Sequence, residues 1–173
     1  MMQSKFLVRL SALLFTALFL CPPASTVTAA DKPPLRAGDV SPIVALRDLN
    51  GAVVRFPANY RGKVVILHFW KGGCSSCREE LPGMESLYTK YRGQGLAILA
   101  VNIGQRRDIV ERLVRSFGVS YTFLLDIDKE MAKRYDVVAL PTTYLIDRSG
   151  VIRYRFLGSA NLDLLRKRVL SML

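Results

Sequence analysis

Cys74 and Cys77 stand three residues apart in Trp70-Lys71-Gly72-Gly73-Cys74-Ser75-Ser76-Cys77-Arg78-Glu79-Glu80-Leu81-Pro82, directly after the apolar run Val64 to Trp70. A strand that turns into a helix at Cys74 exposes that thiol at a helix N-terminus. Unpaired backbone N–H groups and the helix dipole favour an anion there, so the thiol pKa falls and Cys74 becomes a nucleophile. Residues i and i+3 of a helix sit roughly 5 to 6 Å apart, inside the Cα window of a disulfide, so Cys77 can close on Cys74 and reopen without large backbone movement. A bridge over two residues constrains the unfolded chain very little. The pair therefore suits exchange better than stapling. Lys71 and Arg78 can lower the Cys74 pKa further; their bland alternative is plain surface charge.

The elements that must position this pair follow from periodicity. Ile43 to Leu49 and Ala52 to Phe56 flank Asn50-Gly51, a hairpin signal because both turn residues tolerate positive φ. Val64 to Trp70 and Leu96 to Ile103 read as strands covered on both faces. After Ser75, Leu81, Met84, Leu87, Tyr88 and Tyr91 recur at helical spacing, with Pro82 predicted to kink this helix or lie in its early turns. A basic amphipathic helix follows over Arg106 to Phe117, then a strand over Tyr121 to Leu125 and a short helix over Asp128 to Tyr135. Thr142 to Ile146 and Val151 to Phe156 form a strand pair across Asp147-Arg148-Ser149-Gly150, and Asn161 caps a last helix with Leu162, Leu165, Val169 and Met172 as its buried stripe. Alternating strands and helices give an α/β layer fold with a mixed sheet.

At 173 residues, half of them hydrophobic, the chain is long enough for one well-cored domain, which excludes a disordered chain and a disulfide-stapled miniature. Residues 1–30 read apart from the rest. Lys5 and Arg9 make a basic start, Leu10 to Leu20 is uncharged and apolar, and Val27-Thr28-Ala29-Ala30 offers small residues for cleavage, the pattern of an export signal. A retained anchor from Phe6 to Pro23 and lipidation at Cys21 are the alternatives. Ala24 to Pro34 reads as cleavage region and tether, and residues 31–173 as the globular domain. Without residues 1–30 the chain keeps 23 basic against 14 acidic side chains, a net charge of +9. The basic residues are scattered and not interleaved with aromatics, so nucleic acid is not the expected partner; weak attraction to anionic lipid or an acidic partner is.

These segments in order resemble the thioredoxin fold, and more narrowly the exported TlpA/ResA-like thiol-disulfide oxidoreductases. The resemblance runs from Leu35 to the C-terminus. It is carried by Leu46-Arg47-Asp48-Leu49-Asn50-Gly51, by His68 to Pro82, by Val101-Asn102-Ile103-Gly104, and by Tyr135-Asp136-Val137 with Leu140-Pro141-Thr142-Thr143-Tyr144-Leu145-Ile146-Asp147. It implies a central mixed sheet flanked by helices with an extra N-terminal hairpin. It implies that Cys74 attacks a substrate disulfide and Cys77 resolves the mixed disulfide, in keeping with the thiolate as attacking species. Pro141 corresponds to the proline held in cis beside the pair, leaving the Leu140 backbone free to bind an extended segment. Trp70, Leu140 and Thr142 are the implied substrate contacts.

Glu80 matches a glutamate that tunes thiol protonation; burial would raise its pKa and make it the acceptor for the Cys77 proton, whereas a solvated Glu80 would serve only the helix dipole. His68, the only histidine, occupies the place of a buried aspartate relay; it relays a proton near pH 6.5 if hydrated, or is a hydrogen-bonded core side chain. The resemblance also implies protein disulfide or dithiol substrates, a membrane-bound thiol electron donor, no cofactor or metal beyond the Cys74-Cys77 couple, a location in the periplasm or on the outer face of the cytoplasmic membrane, a reducing direction and a cytochrome c maturation-type role. Gly73 and Ser76 depart from the usual tryptophan and proline, so the reduction potential does not carry over. Two other functions compete. A peroxiredoxin would place a proline and a threonine ahead of its cysteine, absent between His68 and Gly73; a Cu(I) assembly factor would use both thiolates but has a wider cysteine spacing and a distant histidine.

Overall fold

A computed structural model describes residues 35–173. The export signal or anchor read over residues 1–30, Cys21 and the tether up to Pro34 lie outside them. Seven strands form one sheet: β1 (Val44–Asp48), β2 (Val53–Phe56), β3 (Val64–Trp70), β4 (Leu96–Ile103), β5 (Thr122–Asp126), β6 (Thr142–Ile146) and β7 (Ile152–Leu157). Their spatial order is β2-β1-β5-β4-β3-β6-β7. The central β3, β4 and β5 run parallel, and the strands outside them pair antiparallel, β6 on β3 and β1 on β5, so the sheet is mixed. The helices are α1 (Ser75–Tyr91), α2 (Arg107–Phe117), α3 (Glu130–Arg134) and α4 (Leu162–Leu170). This is a thioredoxin-like fold with the N-terminal hairpin added on the β5 side.

Each strand of the centre divides its side chains between two cores, as a period of two demands. Val64, Ile66 and Trp70 meet the apolar stripe of α1 (Cys77, Leu81, Met84, Leu87) with Val110 of α2 and Leu165 and Val169 of α4. Val65, Leu67 and Phe69 meet Met131, Tyr135 and Tyr144 on the opposite face. All seven residues of β3 are buried, so the end of this strand is a fixed platform for whatever follows it. Hairpin and strand-pair turns form where read, with Gly51 and Gly150 at φ 87° and 85°, and Asn161 caps α4 by accepting the Leu164 N–H at 3.0 Å.

Three expectations shift. Pro82 sits in the interior of α1 on its exposed side, where the missing N–H removes one helical hydrogen bond without disturbing the packed face. The helix predicted over Asp128 to Tyr135 spans only Glu130–Arg134, because the buried Asp126 carboxylate takes the N–H groups of Met131 (3.0 Å) and Ala132 (2.8 Å) and sets its start. The α4 stripe narrows to Leu165 and Val169, with Leu162 exposed and Met172 half-buried past the helix end.

Candidate active site

Cys74 is the N-cap of α1: extended at φ −92° and ψ 109°, it precedes the first helical residue, and its Sγ accepts the Cys77 N–H at 3.2 Å. The two sulfurs are joined in a disulfide with Cα atoms 5.3 Å apart. Their surroundings differ sharply. Cys77 is wholly buried among the α1 core residues, while Cys74 is half-buried and reached from solvent. The Ser76 hydroxyl lies 3.5 Å from Cys74 Sγ, so it is placed to support a thiolate there. Lys71 and Arg78 are exposed, and water screens their charge from the sulfur.

The loop before Cys74 is tied down more firmly than its two glycines suggest. The Cys74 N–H donates to the Lys71 carbonyl at 3.0 Å, closing a turn. Gln105 Oε1 accepts both the Gly72 N–H at 2.7 Å and the Asn102 side-chain amide at 3.0 Å, linking the loop to the end of β4. A Cβ at Gly72 would come within 2.5 Å of Leu113 Cδ1 and 3.2 Å of the Gln105 amide, so a larger residue requires these side chains to move. Sequence reading missed Gln105 and gave Asn102 a place in a matching segment but no role. Their signal was position, since they follow the carboxyl end of a buried parallel strand, where open α/β sheets build sites.

Beneath the pair, Glu80 lies one helical turn past Cys77 on the same buried face of α1. Its Oε1 accepts the Ala160 N–H at 2.8 Å, and burial pushes its pKa up against the opposing hydrogen bonds from Ala160 and the Ser159 hydroxyl. Glu79 is exposed, so the two adjacent acids occupy opposite environments. His68 Nδ1 lies 2.9 Å from Thr143 Oγ1 and 3.8 Å from Glu80 Oε2. Complete burial pulls the His68 pKa down to about 3, so the ring is neutral and does not titrate near pH 6.5 as a hydrated relay would. The hydrogen-bonded core histidine is the state observed; its Nε2 has no partner among the described residues. The contacts of Thr143 and Ala160 carried no local sequence signal, because they bridge 75 and 80 residues of chain.

Pairing of Phe69 with Thr142 brings the start of β6 to the same edge as the end of β3, so the residues before Thr142 come beside the cysteine loop. The Leu140–Pro141 bond is cis, Pro141 is buried, and Leu140 is half-buried. The expected contacts of Trp70 and Thr142 are corrected by burial. Trp70 is fully enclosed, edge-on to Phe117 (5.8 Å) and Phe123 (5.7 Å), and therefore braces the loop from inside instead of meeting a partner. Thr142 is buried too, its hydroxyl donating to the Ala139 carbonyl at 2.7 Å, which shapes the Leu140 loop. Among the described residues, no three His, Cys, Asp or Glu side chains converge as a metal site, and no helix is long and apolar enough to cross a membrane.

A thioredoxin-like sheet whose β3–α1 junction carries a half-exposed and a buried cysteine in one disulfide defines a dithiol-disulfide oxidoreductase. Comparison with known proteins agrees. The AhpC/TSA family model matches residues 37–155. Thiol-disulfide oxidoreductase ResA of Geobacillus kaustophilus is 37% identical over 129 residues, covering 75% of this chain and 74% of the relative. That of Bacillus subtilis is 36% identical over 123 residues, covering 71% and 68%. A putative thiol:disulfide interchange protein DsbE from Chlorobium tepidum superposes with a TM-score of 0.75 at 29% identity, over 80% of this chain and 98% of that one. The chain belongs to the AhpC/TSA family and, within it, to the TlpA/ResA-like thiol-disulfide oxidoreductases.

Proposed function

We propose that this oxidoreductase works outside the cytoplasm as a reductant of protein disulfides, with Cys74 as attacking and Cys77 as resolving thiol. The support is the asymmetry of the pair: one sulfur open at a helix N-terminus, the other sealed in the core above a buried carboxyl group. In the reduced protein, the Cys74 thiolate attacks one sulfur of the substrate bridge; a Cys74–substrate disulfide forms and the first substrate thiolate leaves. Glu80 then accepts the Cys77 proton, and the Cys77 thiolate attacks Cys74 Sγ. The intramolecular disulfide forms, the second substrate thiolate leaves, and two electrons have passed to the substrate, whose thiolates take up protons from water.

Leu140 and the cis Pro141 hold the substrate chain by its backbone beside the pair. The Ala160 N–H holds Glu80 in place, and the neutral His68, hydrogen-bonded to Thr143, lies 3.8 Å from its other oxygen. No cofactor beyond the two cysteines takes part, and a membrane-bound thiol donor re-reduces them. A cytochrome c maturation-type role fits this chemistry, which ends in free thiols.

The deciding experiment uses Cys77→Ala. Without the resolving thiol, Cys74 accumulates mixed disulfides with a disulfide-bonded protein, released by dithiothreitol; no such adduct under conditions that reduce the protein overturns the reading. The reduction potential sets the direction. A value near that of thioredoxin, about −270 mV, agrees with a donor, and one near −120 mV reverses the assignment.

A further inference from the structure

A groove of about 700 Å³ opens at the carboxyl ends of β3 and β4, between α3 and the Leu140 loop. Its floor is apolar: Ile103 and Val137 are half-buried, and Val138 is 76% exposed, with no packing partner in the fold to account for it. Lys71, Lys129 and Lys133 stand around it. The one acid in its wall, Asp136, has its carboxylate 3.5 Å from the Arg155 guanidinium, and Lys133 is paired with Glu130 at 3.0 Å. Lys71 and Lys129 have no carboxylate partner among the described residues. Asp128 and Glu130 line a different depression, against β1. The groove is therefore apolar inside and positive at its rim.

Two further features say what kind of occupant fits. The N–H groups of Val138, Ala139 and Leu140, in the bend that leads into β6, donate to nothing among the described residues, so donors remain for a bound chain. Lys71 also accepts the Cys74 N–H through its carbonyl, so the groove runs into the reactive loop.

We propose that this groove selects protein substrates whose disulfide is flanked by acidic residues around an apolar side chain, the acids meeting Lys71 and Lys129 and the apolar group lying on Val137 and Val138. The inference rests on the exchange reading and names the substrate class for it. Charge pairing at such a rim acts chiefly on the encounter rate and is screened by salt.

The test mixes the reduced full-length protein with three oxidised probes and follows the loss of each disulfide. Two are twin peptides whose disulfide is flanked by Asp and Leu in one and by Lys and Leu in the other; the third is hydroxyethyl disulfide. At low salt the acidic peptide is expected to react roughly tenfold faster than its basic twin, and the ratio to shrink toward one in high salt. Lys129→Glu, or Val138→Asp at a site too exposed to threaten folding, is expected to bring the ratio to about one. Lys167→Glu, an equal change in net charge on α4, is expected to leave the ratio near its original value.

Equal rates for both peptides in the unaltered protein overturn the proposal alone, since hydroxyethyl disulfide still reports exchange. Equal losses in Lys129→Glu and Lys167→Glu also overturn it, because net charge and not the groove would then steer. Failure with all three probes overturns the exchange reading and this proposal together.

Discussion

Two loops meet at one edge of the sheet and are held in opposite ways. The segment from Lys71 to Cys77 has its backbone tied down: Gly72 to Gln105, Cys74 N–H to Lys71, Cys77 N–H to the Cys74 sulfur. The segment from Val138 to Leu140 is braced by the Thr142 hydroxyl and the buried Pro141, yet leaves three N–H groups without partners among the described residues. The contrast fits two tasks. Disulfide exchange needs its attacking and resolving atoms fixed to within a fraction of an ångström, whereas recognition of an extended chain needs donors the fold has not used. His68 lies under both loops, bonded to Thr143 of β6 and facing Glu80 of α1.

This division can be broken from either side. Cys74→Ser removes the attacking sulfur and should lower exchange with every disulfide by on the order of 10⁴-fold or more, read as thiol release under single-turnover conditions. Next in size is His68. Its folded pKa of about 3 lies below the ordinary 6.5, so folding favours the neutral ring. The associated stability is fully present above pH 6.5 and is lost as pH falls through the window from 6.5 to 3, on the order of 4 to 5 kcal/mol. The buried Glu80 and Asp126, whose pKa values are raised, act with the opposite sign and blunt the loss. Denaturant unfolding of His68→Asn across that range should show a shallower acid slope than the parent; an identical slope would mean the histidine is not the group responsible.

Glu80→Gln should slow the resolving step about 100-fold while leaving formation of the mixed disulfide nearly intact, and Glu79→Gln should change neither. Equal effects at the two positions would remove the distinction between buried and exposed acid. Gly72→Ala forces its new methyl against Leu113, and a shifted loop should cost about 1 to 3 kcal/mol in stability together with a several-fold drop in exchange. Thr142→Val is the mildest change. It loses the hydroxyl bond to Ala139, worth about 1 kcal/mol, and should impair protein disulfides more than hydroxyethyl disulfide if the second loop serves recognition.

The reactive pair and its helix were legible because both depend on local spacing. Cys74 as N-cap, Cys77 one turn on, and the apolar recurrence from Leu81 to Tyr91 all follow from the 3.6-residue period. Strand order was less legible, and the supports of the site were not legible at all. Trp70 was expected to be a substrate contact only through the family resemblance; its place at the end of a doubly covered strand pointed inward, and the packing of Phe117 and Phe123 over it decides for the core. Gln105, Ala160 and Thr143 act through contacts that no periodicity encodes.

By itself the sequence determined which chemistry is available: two thiols at helical spacing after a buried strand, an acid one turn further, and a proline ahead of a second strand. Tertiary structure decided which atoms are dry. Protonation of Glu80 and His68, and the exposure of one cysteine against the other, depend on how much water reaches them. That is fixed by the joint packing of β3, α1 and β6 with the segment before α4, which arrives from 80 residues away.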